Sequence, residues 1–309
     1  IVDEMGGVPM YLEKDLDYDD EKEIVLENKR IKGKIKIVKT SENQNKVLDT
    51  EAGSPIEGAK FNIYNKQNEF IEQITTDKNG TAYSSELDKG EYRVKEVETG
   101  EWYIYEPITA NAEIKENNEI VEIKLKNKSK DPEVDITKKS KNLVAPNEEL
   151  DYEFTIKNSG NTSLEDFTWY DILPSEYAKI TKISTGTYNQ DINYSVYYKT
   201  NKKDEYMVLK KELNSKENNY IDVTRIYLEP DEKITEIKVK FGSVDKGFQN
   251  VEKPHIFMLV NDGLENDIKI ENQTILEGTH QTYKVCDEDK TVTTIYNVVK
   301  PKKLPRTGF

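Results

Sequence analysis

Three polar residues stand where alternating strands would drive them into an apolar interior. "KIKIVK" aligns Ile35, Ile37 and Lys39 on one face, "EYRVKE" aligns Tyr92, Val94 and Glu96, and "EIKLKN" aligns Ile123, Leu125 and Asn127, because side chains two apart on a strand point the same way. Burying an unpaired charge is costly, so each ionisable group is pushed toward its neutral form. A neutral lysine amine is a nucleophile. A protonated glutamic acid polarises an amide and passes protons. The chemistry implied is attack of Lys39 on Asn127, assisted by Glu96, giving an isopeptide bond and ammonia. It is a single turnover on the chain itself, not enzymology on an external substrate. Parity alone leaves other roles open: a lysine at a strand end snorkels to water, a strand glutamate faces solvent, and an asparagine after a strand makes a turn.

The elements that must position these residues are strands throughout. Period-two alternation recurs in "LDYEFTIKN" and "EIKVKFG", with turn signals at "DKNG" (77–80), "NSGN" (158–161) and "NDG" (261–263), and helical periodicity is nearly absent. The expected fold class is all-β, built from tandem antiparallel β-sandwiches. The endings "EIVLEN", "EIKLKN" and "DIKIEN" repeat the pattern apolar, any, apolar, any, Asn, and finish at Asn28, Asn127 and Asn272. They divide the chain into the closing strands of a truncated preceding repeat (1–30), one complete sandwich (31–130), a larger β domain (131–299) and a tail (300–309).

The 309 residues carry a net charge of −14, which argues against a nucleic-acid partner. One cysteine, Cys286, excludes an internal disulfide and is expected to be buried. No apolar run is long enough to cross a bilayer. His255 and His280 lack metal-ligand spacing, "DKNG" reads as a hairpin turn, and "DED" (287–289) reads as a solvated turn lacking the ligands of a calcium loop. No metal and no cofactor is expected.

"GKIKIVK", "SPIEGAKFNIYN", "TDKNGTAYSSELDKGEYRVKE" and "EIKLKN" together resemble the Cna B-type domain of Gram-positive surface proteins and pilins, a prealbumin-like sandwich. The resemblance implies isopeptide chemistry by Lys39, Glu96 and Asn127, and makes Asn28 the orphan partner of a preceding repeat. Where that family often has Ala-Pro-x-Gly-Tyr after its glutamate, this chain reads "VETGEWYIYEP", which leaves Glu98, of the same parity, as a second candidate acid. The segment starting "VDITKKSKNLVAPNEELDYEFTIKNSGN" resembles immunoglobulin-like repeats of bacterial wall proteins, which are similar in turn to pilin domains that use Lys, Asp and Asn. That resemblance, with strand parity, points to Lys138, Asp171 and Asn272.

The final "LPRTG", Leu304, Pro305, Arg306, Thr307 and Gly308, resembles the LPXTG sorting motif. It implies cleavage by sortase between Thr307 and Gly308 and attachment to cell-wall peptidoglycan outside the cell, with Phe309 a truncation point. The expectation is a wall-anchored surface stalk, adhesin or pilin-like structural subunit stabilised by self-made Lys–Asn bonds. The alternatives are a ligand-binding adhesin domain, with the aromatics of "NYSVYYKTN" as candidate surface, and a sortase-polymerised pilus shaft, for which "VVKPKK" is a poor acceptor motif.

Overall fold

The computed structural model describes residues 30–296; Asn28 and the sorting motif lie outside them. The chain divides into two compact units at the junction of Lys130 and Asp131.

Among the described residues the first unit has eight strands: β1 (Lys32–Ser41), β2 (Lys60–Asn65), β3 (Phe70–Thr75), β4 (Thr81–Tyr83), β5 (Leu87–Asp88), β6 (Gly90–Glu98), β7 (Thr109–Ile114) and β8 (Glu119–Asn127). One sheet places β1 beside β4 and β5, with β8 on its other edge, and the other runs β3-β2-β6-β7. Their inner faces share a core of Ile35, Ile37, Phe61, Ile63, Val94 and Ala112, the burial of alternate residues that a two-layer sandwich requires. The first and last strands pair in parallel, from Gly33↔Glu119 to Ser41↔Asn127, a departure from an otherwise antiparallel arrangement.

Among the described residues the second unit has fourteen strands. They are β9 (Val134–Lys139), β10 (Leu143–Val144), β11 (Glu149–Asn158), β12 (Leu164–Ile172), β13 (Ala178–Ser184), β14 (Thr187–Tyr188), β15 (Asn193–Thr200), β16 (Lys203–Asn214), β17 (Tyr220–Asp222), β18 (Ile234–Val244), β19 (Asn250–Glu252), β20 (His255–Val260), β21 (Lys269–His280) and β22 (Tyr283–Ile295). A seven-stranded sheet runs β10-β22-β21-β12-β18-β15-β16, a five-stranded sheet runs β17-β13-β20-β11-β9, and β14 pairs with β19. Both large sheets contribute to one core, in which Phe154 and Trp169 lie 4.6 Å apart between ring centres. Trp169 donates its indole N–H to Thr274 Oγ1 at 2.8 Å, giving a buried polar edge its partner.

The structure departs from the sequence pattern at two places on β22. Residues 287–289 are no turn: they lie within β22, where Asp287 and Asp289 accept the backbone N–H groups of Ile136 and Lys138 at 2.9 and 2.7 Å. Carboxylates thus replace ladder carbonyls along the free edge of β9. Cys286 is exposed, because it occupies the outward parity of that strand, where an acidic run leaves little apolar pattern to read.

Candidate functional site

Among the described residues, Lys39 and Lys138 are the buried lysines, and each meets a buried carboxyl group. Lys39 continues the inward face of β1 after Ile35 and Ile37, all three with no exposed surface. Its backbone is clamped on both sides, its N–H donating to Gly80 O at 2.7 Å and its carbonyl accepting from Ile56 N at 3.0 Å. Gly80 closes the "DKNG" turn at φ +68°, and a Cβ there would fall 2.3 Å from the Lys39 carbonyl; only glycine tolerates both demands.

Glu96 reaches Lys39 from the opposite sheet. Its neighbour on β2 is Phe61, whose ring centre is 5.7 Å from Lys39 Nζ. Lys39 Nζ donates to Glu96 Oε2 at 2.9 Å, and neither side chain is exposed. Asn127, 1% exposed, follows Leu125, the residue opposite Lys39 in the parallel ladder. It therefore lies one same-face position along from the lysine, within reach of a long side chain. Its Nδ2 donates to Ile104 O at 2.7 Å, while Asn127 Oδ1 and Glu96 Oε1 are buried without a hydrogen-bond partner.

Burial pushes Lys39 below the usual lysine value, against the opposing pull of Glu96. Burial also raises Glu96, opposed by Lys39 and then by the Asn127 amide. Both shifts favour a neutral amine beside a protonated acid. A proton on Glu96 Oε1 turns an orphaned acceptor into a donor, and Asn127 Oδ1 is an acceptor that needs one.

Glu98 is not part of this group. It is paired with the surface Lys60 at 2.7 Å and its side chain is 56% exposed. The ladder between β2 and β6 skips a residue between Phe61↔Glu96 and Lys60↔Glu98. That bulge breaks the parity that had put Glu98 inward.

The second unit assembles the same residue types from different strands. Lys138 lies on β9 opposite Phe154, and Asp171 and Asn272 come from the adjacent strands β12 and β21 of the other sheet, where Asp171 faces Thr274. Asp171 Oδ2 accepts from Lys138 Nζ, and Asp171 Oδ1 accepts from Asn272 Nδ2 at 3.2 Å. One carboxyl thus bridges the lysine nitrogen and the asparagine amide nitrogen. Burial pushes Lys138 down to about 8, more than Asp171 and Asp289 pull it up. Burial raises Asp171 in turn, against Lys138 and Asn272. The adjacent Lys139 is exposed.

The buried asparagines Asn45 and Asn158 have no such surroundings. Their amides are spent on the carbonyls of Trp102, and of Thr162 and Asp245. His255 pairs with Asp151 at 2.9 Å and His280 with Ser163 O at 2.9 Å. The aromatics of β15 do not form an open patch: Tyr194 is buried, and Lys238 lies among Tyr170, Tyr197 and Tyr206, 4.5–5.8 Å from their ring centres. The Ile104 carbonyl that holds Asn127 went unpredicted, since a loop carbonyl leaves no side-chain signal.

Residues 33–129 match the SpaA prealbumin-like fold domain family. The chain is similar to the trypsin-resistant surface T6 protein of Streptococcus pyogenes serotype M6, 37% identical over 81 residues, which is 25% of this chain and 15% of that protein. Among solved structures, BcpA, the major pilin subunit of Bacillus cereus, is similar at 14% identity with a TM-score of 0.30, over 85% of this chain and 69% of that one. The major pilin SpaD of Corynebacterium diphtheriae gives 15% identity and a TM-score of 0.30, over 85% of this chain and 67% of that one.

Proposed function

We propose that this chain is a pilin-like structural subunit of a Gram-positive cell surface, with each β unit locked by an autocatalytic Lys–Asn isopeptide bond. Lys39 joins Asn127 with Glu96 as the proton carrier, and Lys138 joins Asn272 with Asp171 in that role. The observation that carries the reading is the twofold occurrence of one arrangement: a buried lysine bonded to a buried carboxyl group beside a buried asparagine. Interiors rarely hold such groups without a use for them. The similarity of residues 33–129 to a prealbumin-like family, and of part of the chain to a streptococcal surface protein, supports placement at the cell surface.

The chemistry acts once and on the chain itself, so the protein is not an enzyme. The sequence Leu304-Pro-Arg-Thr-Gly308 makes it a substrate for sortase, which would join Thr307 to peptidoglycan. Intact-mass spectrometry tests the crosslinks: the purified chain should weigh two ammonia molecules less than its sequence. Trypsin should release one branched peptide holding Lys39 and Asn127 and another holding Lys138 and Asn272. Recovery of these residues in separate linear peptides, at full mass, would sink the proposal.

A further inference from the structure

Asn272 Oδ1, the atom that takes on negative charge when its amide is attacked, is buried without a hydrogen-bond partner. Asp171 has no oxygen left for it, since one serves Lys138 Nζ and the other Asn272 Nδ2. The first unit differs. There Glu96 keeps Oε1 unpartnered, Asn127 Nδ2 is held by a backbone carbonyl, and one carboxyl can serve both the lysine and the amide oxygen. The second unit needs another donor.

Tyr152 is placed to supply it. Its side chain has no exposed surface, its hydroxyl lacks a hydrogen-bond partner, and its ring centre is 4.7 Å from Lys138 Nζ. A buried hydroxyl without an acceptor is rare and costly, and here it belongs to the same cluster as a buried acceptor without a donor. The aromatic ring at Lys39 is Phe61, which has no hydroxyl.

We propose that the Tyr152 hydroxyl is the oxyanion donor of the second unit, closing on Asn272 Oδ1 as charge develops there. The inference rests on the crosslinking reading above. Lys138 Nζ bonds to Asn272 Cγ, and the carbonyl π pair moves onto Oδ1, where the phenol holds it. The pair then returns, the Cγ–Nδ2 bond breaks, and ammonia leaves with a proton from Asp171 that the attacking nitrogen replaces. Donors of this kind are often too distant in the resting state and tighten in the transition state. Burial foremost, then the charge of Asp171, holds the phenol well above its usual range against a smaller opposing effect of the Asn272 amide, so it keeps its proton at neutral and mildly alkaline pH.

The test is cell-free translation of the full chain, quenched at intervals, with both branched peptides quantified by mass spectrometry. Tyr152→Phe keeps the ring beside Lys138 and removes the donor. The Lys138–Asn272 peptide should appear about 100-fold more slowly or worse, the usual effect of losing one oxyanion donor, while the Lys39–Asn127 peptide keeps its rate. Wild-type yield at long times, with unchanged near-ultraviolet dichroism from the Trp169 core, establishes that the variant folds. A second bond forming in Tyr152→Phe within twofold of the wild-type rate overturns the role. A wild-type chain that never forms the second bond overturns the underlying reading instead, and the inference with it.

Discussion

Asn127→Ala removes the electrophile of the first unit and leaves Lys39 paired with Glu96. Two stabilising contributions are lost. The proposed crosslink would close a loop of 88 positions (127 − 39), and chain-entropy reasoning gives such a loop about 4.6 kcal/mol. The hydrogen bond from Asn127 Nδ2 to Ile104 O contributes about 1 kcal/mol net. For a unit of roughly 100 residues each kcal/mol shifts the midpoint by about 4–8 °C, so the transition of the first unit should fall by about 22–45 °C. Differential scanning calorimetry of the full chain resolves this, with the transition of the second unit as internal reference. Glu96→Gln should also leave the bond unmade, because its amide cannot carry the proton, and should regain one ammonia of mass. A drop under about 8 °C in Asn127→Ala, the size expected from the lost hydrogen bond alone, would refute the claim that a covalent loop stabilises this unit.

Glu98→Ala should leave the Lys39–Asn127 bond intact by peptide mapping, since Glu98 is bound to Lys60 at the surface. Asn272→Ala should make the second unit sensitive to alkaline pH. With Lys138 unlinked and lowered to about 8 from 10.5, the unfolded chain binds more protons than the folded one between those values. Its stability relative to wild type should therefore rise with pH across that window, and a flat difference in denaturant midpoints would exclude a depressed Lys138. The raised Asp171 acts oppositely: its protonated form contributes stability below the ordinary carboxylate range that is lost as pH climbs through the raised value. Thr307→Ala, tested in a chain extended by an apolar span and a basic tail, should abolish wall attachment, and a variant still released only by a muralytic enzyme would refute the sorting assignment.

Both carboxyl–lysine pairs were legible because a sandwich buries one face of each strand, so two apolar residues before Lys39 or Lys138 forecast where the next side chain goes. Departures from that rule were not legible. The bulge that turns Glu98 outward depends on the pairing of β2 with β6, which one strand's pattern does not encode. Parity placed Tyr152 in the core, but nothing local distinguishes its hydroxyl from that of an ordinary core tyrosine until Asn272 lies beside it. The acidic run of β22 reads as loop because Asp287 and Asp289 bond β9 amides from a strand with almost no apolar period. The parallel pairing of β1 with β8 joins residues too far apart for any local signal.

That parallel pairing bears on how the units would respond to pulling. A tug on the flanking chain loads β1 and β8 in shear, so the whole ladder from Gly33 to Asn127 resists together. Once Lys39 and Asn127 are joined, force passes from β1 into the exit of β8, and about 300 Å of extension, 88 residues at roughly 3.4 Å each, stays unavailable. The second unit is built otherwise. Asn272 lies near the open end of the β21–β22 hairpin, opposite Thr291, so β22 falls outside the closed loop. Pulled from Ile295, that hairpin unzips one rung at a time. With Lys138 and Asn272 joined as proposed, the 23 residues beyond Asn272 (295 − 272) would yield about 80 Å at the same rise while the core stays shut. One unit would act as an inextensible link and the other as a link with a short, reversible fuse.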